Sequence, residues 1–381
     1  MIKPSFNNYF VSFALFLFTA KIASPFGIFI ITFLLPNIII IFLCLNKRLS
    51  PKILIPPLII ISIILISFIS IIILNKLDIN YYADYYYITI PINILFISLI
   101  FGTQQKLLSQ PNFWDTLTKL LISINFFFLI AQVTLYYIAD YSLDLGALTG
   151  GNEIRGITNY NDTVILRPGG IYEEPSIYAA YVFSFLVLRF ILVSKKFDIY
   201  IFIGVLGLFL TMSTISIFLA SLFLIFAYLK IKLSNLLFIL TVISISIYFS
   251  WDYLSIRLIN SIDGVDPSNA TKFNVINQFI NDPELFWFGF GIVKKHLLYG
   301  LDGLGDTTIY TSLITIFGFI WGFILVAFLI ISIFYSNLSK RGKILALLVF
   351  IKLSWPAYSF FWVMYLFFVF NSKYLNRENR E

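Results

Sequence analysis

The chain is a succession of apolar runs, built mostly from Ile, Leu and Phe, separated by short polar stretches and by two much longer ones. Such runs predict helices that cross a bilayer, because inside lipid a helix satisfies its own backbone. The predicted spans are 8–21, 26–45, 53–74, 88–101, 119–138, 175–193, 199–211, 214–229, 236–250, 307–335, 343–354 and 357–371. Several fall short of the ~20 residues that a full crossing needs. Two longer runs, 199–229 and 343–371, each read as one tilted helix or as two short helices joined by a turn, near Met212-Ser213-Thr214 and at Trp355-Pro356. The count is therefore ten or twelve.

Charge favours twelve. In that arrangement 17 of the 26 Lys and Arg residues gather on one side, eight lie on the other, and Lys352 stays within a span. The asymmetry in the short loops is steeper than with ten spans, and those loops carry most of the orientation signal. The fold class expected is an all-α polytopic membrane protein of about 12 transmembrane helices, one integral domain over 1–381. Both termini are cytoplasmic, and two large loops, 139–174 and 251–306, lie outside. Composition agrees, with 60% hydrophobic and only 12% charged residues. The net charge of +7 does not point to nucleic acid, because the basic residues are scattered between apolar runs as topology signals. The first apolar run has no small-x-small cleavage site and reads as an uncleaved span. The single cysteine, Cys44, lies inside an apolar run and offers no disulfide.

Most of the acidic residues fall in the outer segments, so basic residues there stand out. Residues 167–182 read RPGGIYEEPSIYAAYV. Pro168, Gly169 and Gly170 favour a tight turn, which places Arg167 on a folded-back segment with Glu173 and Glu174 just ahead of a helix starting at Pro175. A charged collar at a helix start explains these residues equally well. The chemical alternative is a phosphate held by the planar guanidinium, with a carboxylate beside it tuned as a base by its neighbour's charge.

The second large loop contributes Arg257, Lys272 on an amphipathic helix over 268–280 capped by Ser268, and the lone histidine, His296. Phe273, Ile276, Phe279 and Ile280 are expected on the apolar face of that helix. A glycine-broken turn follows at 286–292. The glycines of 300–306 have no preceding strand and exclude a dinucleotide loop, while Asp302 and Asp306 lack the further ligands of a cation site. Gly318 and Gly322 have the spacing of a helix-packing motif, and the tyrosines of 81–87 read as an interfacial belt.

Four features together resemble the bacterial O-antigen polymerases (Wzy-like) and, more distantly, the O-antigen ligases. They are RPGGIYEEPS before a span, the paired short-helix segment between the two large loops, GFG late in the second loop, and DTTIYTSL with GFIWG opening the next helix. The likeness covers residue 120 or so to the C-terminus. It implies a GT-C-like glycosyltransferase of the inner membrane that joins undecaprenyl-pyrophosphate-linked oligosaccharide repeat units on the periplasmic side, with the lipid bilayer and a chain-length regulator as its partners. Arg167 matches the family's first-loop arginine, expected on the donor pyrophosphate. Lys272 stands where the second loop usually has an arginine, so Lys272 or Arg257 takes that part. Glu173, Glu174 or His296 is the expected base, and Tyr172 and Asp306 are expected near substrate. The loop after the first span has no acidic residue, which favours a metal-independent reaction without cofactors. An O-antigen ligase is the nearest alternative, since His296 matches the histidine usual in its second loop. A lipid-linked oligosaccharide flippase is disfavoured by charges gathered in long outer loops rather than along the spans.

Overall fold

The computed structural model describes residues 6–19, 28–45, 54–73, 84–143, 157–160, 163–193, 195–228, 267–292, 307–356 and 358–370, with isolated positions between 241 and 255. The chain folds as a helical bundle. Among the described residues, besides a single turn at Gln105–Leu108, the helices begin with α1 (Phe6–Thr19), α2 (Leu35–Cys44, entered through a π-helical stretch, Ile28–Leu34), α3 (Ile55–Ile73), α4 (Asp84–Thr103) and α5 (Pro111–Ala139). After the first large loop come α6 (Pro175–Leu192), α7 (Ile199–Leu210) and α8 (Thr214–Tyr228). The second large loop carries α9 (Pro267–Asn281) and α10 (Pro283–Phe288), followed by α11 (Ile309–Tyr335), α12 (Lys340–Lys352) and α13 (Ser359–Phe370). Both ambiguous runs are pairs of short helices. Met212, with φ 50°, turns the chain between α7 and α8, and the stretch around Pro356 separates α12 from α13. The predicted span 236–250 lies largely outside the described residues.

Among the described residues, α5, α6 and α11 are each long and apolar enough to cross a membrane, and apolar helical stretches of 10–17 residues recur in other helices. Large apolar side chains such as Phe42, Phe127 and Ile138 are exposed on the outside of the bundle, as lipid-facing positions require. Helix α6 is the centre: 83% of its residues are buried, so it is apolar on every face.

Among the described residues the fold departs from all-α in one place. Strands β1 (Ile157–Tyr160) and β2 (Thr163–Leu166) pair antiparallel, with Ile157 opposite Leu166 and Tyr160 opposite Thr163. Three β-branched residues, Thr163, Val164 and Ile165, favour extended backbone over helix in β2, which leads straight into Arg167.

One ion cluster sets the register of the central helices. Arg189 is 3% exposed near the end of α6. Its Nε donates to both carboxylate oxygens of Asp198 and its Nη2 to Asp198 Oδ2. Its Nη1 donates to Asp115 Oδ1 at 2.8 Å and to Thr118 Oγ1 at 3.2 Å. Lys119 pairs with Asp115 at 2.7 Å, which makes the cluster neutral, and the Tyr200 ring lies 5.0 Å from the guanidinium. A buried charge survives in such a place only when it is paired and hydrogen-bonded throughout. Asp198 also caps α7 by accepting the N–H of Ile201 at 2.9 Å. Helices α5, α6 and α7 are thereby pinned at one level. With Lys195, Lys196, Lys340, Arg341 and Lys343 nearby along the chain or on adjoining helices, this is the basic end of the bundle.

From here depth can be measured by residue count. Gly342 of α12 lies against Ile191 of α6, and Arg341 donates to Ala227 O at the end of α8, so α8 and α12 also meet at the basic end. Toward the far end, Leu186 abuts Gly204 and the Tyr178 hydroxyl abuts Gly207. Ser216 donates to Pro175 O at 3.5 Å, placing the α7–α8 turn beside the start of α6. Helix α13 is fixed by stacking of Phe360 on Tyr181, 4.8 Å apart, and by a buried polar chain: Asn37 donates to Asn93, Asn93 to Ser359 and Ser359 to Thr32 O.

Helix α11 is bent. Gly318 has φ 80° and ψ 167°, and a Cβ on Gly322 would come within 2.4 Å of Ile314, although residues eight apart in a straight helix are about 12 Å apart. The glycines expected to pack two helices together instead fold one helix on itself. The carbonyls freed at the bend are taken up by the second large loop, where Phe290 N–H donates to Thr315 O and Gly291 N–H to Ile316 O. Tyr87, expected in an interfacial belt, is buried and accepts the N–H of Ile292 at 2.9 Å.

Partial burial alone would raise the Asp198 carboxyl, but the hydrogen bonds and charge of Arg189 hold it below the ordinary carboxylate value. A depressed folded pKa contributes stability above the unfolded value of ~3.9, and that stability is lost as pH falls through the folded value. The unfolding temperature of detergent-solubilised protein should therefore hold from neutral pH to ~5 and drop below ~4. Asp198→Asn should lower the neutral value, by the several degrees that about 2 kcal/mol represents, and flatten the acid limb. An unchanged acid limb would remove Asp198 from the account.

Candidate functional site

The segment Arg167–Glu174 does not lie over the bundle; it enters it. Gly169 O accepts the N–H of Tyr172 at 3.1 Å, closing a tight turn, and Gly170 has φ 61°. A Cβ on Gly169 would fall 2.6 Å from Tyr172 O, and one on Gly170 would fall 3.1 Å from the Tyr178 ring and 3.2 Å from Asn125 O. Positive φ and backbone-close contact leave glycine as the residue that fits position 170.

Gln132 of α5 holds the turn down. Its Oε1 accepts the N–H of Gly170 at 2.8 Å, and its Nε2 donates to Leu143 O at 3.2 Å, so one side chain ties both ends of the first large loop. Gln132 lies seven residues before the last of α5, about 10 Å below that helix end, and Asn125 lies about 21 Å below it. The turn is thus re-entrant.

Tyr172 anchors its other side. It is 3% exposed and stacks on Tyr181 at 4.7 Å, which in turn stacks on Phe360. Burial, with the Tyr181 phenol beside it, pushes its pKa well above the usual tyrosine value, so the hydroxyl keeps its proton. Its ring packs on Tyr181 and Tyr178. The oxygens Asn125 Oδ1, Tyr172 Oη and Tyr178 Oη, buried in the same region, make no hydrogen bond of normal geometry, a polar spot inside an apolar bundle.

Arg167, Glu173 and Glu174 are all half-buried on this short segment. Glu174 is the residue before α6; its backbone is extended, its carboxylate makes no cap hydrogen bond, and its Oε2 accepts from Ser176 at 3.0 Å. A guanidinium and two carboxylates at the lip of a recess suit a site that binds an anion and accepts a proton.

Of the second large loop's predicted site residues, Lys272 lies among the described residues. Lys272 is half-buried on α9, which begins at Pro267, so that Ser268 lies inside the helix and is no cap. The buried residues of that helix are Val275 and Phe279, whereas Phe273 and Ile280, expected beside them, are exposed. Phe279 packs on Phe286 and Phe290, and Phe286 stacks on Phe319 at 4.9 Å, which seats α9 on the bend of α11 rather than on the Arg167 turn. Arg257, His296, Asp302 and Asp306 lie outside the described residues. Thr307, next after Asp306, is buried and shares a hydrogen bond with Ser312 at 2.7 Å, while Thr308 caps α11.

Reading the sequence alone missed the polar line of α5. Thr118, Asn125 and Gln132 recur every seven residues in an otherwise apolar span, and they meet, in order, Arg189, the underside of Gly170 and the Gly170 N–H. That spacing marks one helix face and was available as a signal.

No protein family, no curated protein and no solved structure matches the chain.

Gln132→Leu leaves the Gly170 N–H without its acceptor, and Gly170→Ala strains the turn; each should cost about 1–3 kcal/mol of thermal stability. Because both remove the same docking, the double variant should be much less destabilised than the sum. Additive losses would show that the turn is not held by this bond.

Proposed function

We propose that the chain is a membrane glycosyltransferase, an O-antigen polymerase that joins undecaprenyl-pyrophosphate-linked oligosaccharide repeat units at the periplasmic face of the bacterial inner membrane. The observation that carries this reading is the re-entrant turn. It holds an arginine and two carboxylates below the end of α5, at the end of the bundle opposite the basic residues. With twelve spans and the basic end in the cytoplasm, that recess opens to the periplasm. A lipid-linked donor reaches such a site from the bilayer while its glycan stays in water.

The reaction asks for charge stabilisation and one proton acceptor. The acceptor hydroxyl oxygen bonds to the anomeric carbon of the donor, the bond from that carbon to the pyrophosphate oxygen breaks, and the lipid pyrophosphate leaves with the electron pair. Arg167 holds the departing pyrophosphate, and Glu173 or Glu174 takes the hydroxyl proton. Lys272, Arg257 and His296, all in the sequence of the second large loop, serve the glycans.

The test is the lipopolysaccharide ladder of cells lacking the gene, complemented with wild type or Arg167→Ala at matched membrane levels. The reading expects core plus a single repeat unit in the deletion, and no ladder from Arg167→Ala. Bare core, with long chains left on the lipid carrier, would make the protein a ligase. Full restoration by Arg167→Ala would reduce the turn to a structural collar.

A further inference from the structure

Lys352 ends α12 deep in the bundle, and nothing in the reading above uses it. From Gly342, which touches Ile191 at the basic end, α12 rises ten residues, about 15 Å, which brings Lys352 to the level of Tyr181 on α6. Ring contacts give the same level independently. Phe350 lies 5.2 Å from Phe361, Phe360 stacks on Tyr181, and Tyr181 stacks on Tyr172 of the re-entrant turn. Lys352 and the turn therefore occupy the same depth, each on an element that packs against α6, with Arg167 five residues before Tyr172.

Helices α6, α8 and α11, which pack on α12, contain no Asp or Glu, and neither does the sequence from Lys352 through α13. The nearest carboxylates along those elements are Glu173 and Glu174, at the head of α6. A lysine within membrane depth is costly and marks a pathway or binding site for an opposite charge. The C-terminal end of a helix favours the cation there, and the side chain is only half-buried.

We propose that Lys352 is the second cation of the anion site: it meets the pyrophosphate of a polyprenyl-linked donor from the floor of the recess while Arg167 meets it from the turn. This rests on the reading of the site as a lipid-pyrophosphate site. Two cations on separate elements grip both phosphates of a pyrophosphate, and Lys352 supplies from within the bundle what Lys272 or Arg257 was expected to supply from the second loop.

The test uses the full-length protein in detergent, with undecaprenyl pyrophosphate as probe and undecaprenol as the uncharged control. Thermal stabilisation is titrated for wild type, Lys352→Gln, Lys352→Met and Lys352→Arg. The expected result is stabilisation of wild type by the pyrophosphate but not the alcohol. Lys352→Gln should bind about tenfold or more weakly, with Lys352→Arg largely restoring it. Lys352→Met, apolar and of similar length, replaces the Gln variant if that one fails to fold. If wild type responds and the uncharged variants respond equally, Lys352 is no ligand, although the pyrophosphate reading stands. If wild type itself ignores the pyrophosphate, both fall. Loss of intrinsic stability in Lys352→Gln with unchanged probe affinity would make the lysine a structural partner of Glu173 or Glu174 and overturn the proposal.

Discussion

Arg189 is the fixed point from which the rest of the bundle is measured. A guanidinium that is 3% exposed in an apolar bundle has one tolerable arrangement, with its donors spent on Asp115, Asp198 and Thr118. Three helices must therefore share one level at that point, and their different lengths then decide the shape of the other end. Helix α5 has 29 residues, α6 has 18 and α7 has 12, so α5 extends past its neighbours by more than 10 Å. The segment 167–174 folds back into the space this leaves, where the recess of the proposed site lies.

Irregular backbone is tolerated inside a membrane only where protein or a water-filled cavity satisfies it. Three pieces of such backbone gather at that depth: the re-entrant turn 167–174, the α7–α8 turn around Met212, and the stretch around Pro356 between α12 and α13. Each is tied down by a side chain acting on the backbone. Gln132 takes Gly170 N–H, Thr211 Oγ1 donates to Leu208 O, and Trp362 Nε1 donates to Pro356 O at 2.7 Å.

Much of this was legible in the apolar pattern. Run lengths gave nearly every described helix, and Pro168-Gly169-Gly170 announced a turn before α6. Whether 199–229 and 343–371 were one helix or two could not be read from hydropathy, because Met212-Ser213-Thr214 and Trp355-Pro356 suit a turn or a tilted crossing; packing against α6 decides it. Arg189 looked like one topology signal among many, and its partner Asp198, nine residues later, is brought close by the α6–α7 turn. Gly318 and Gly322 carried a spacing with two meanings, and the contact with Phe290 and Gly291, remote in sequence, selects the bend. The β1–β2 hairpin was passed over because its short strands are faint beside twelve apolar runs.

The recess itself is the central claim, and accessibility tests it most directly. With Cys44→Ser as background, single cysteines at Ile171, Met212 and Trp355 are exposed to a membrane-impermeant maleimide on intact spheroplasts, with a cysteine at Ser339 reporting the basic end. The account predicts labelling of the first three from outside and of Ser339→Cys only after the membrane is opened. Protection of the first three in both conditions, or their labelling only together with Ser339→Cys, would contradict a recess that opens away from the basic end.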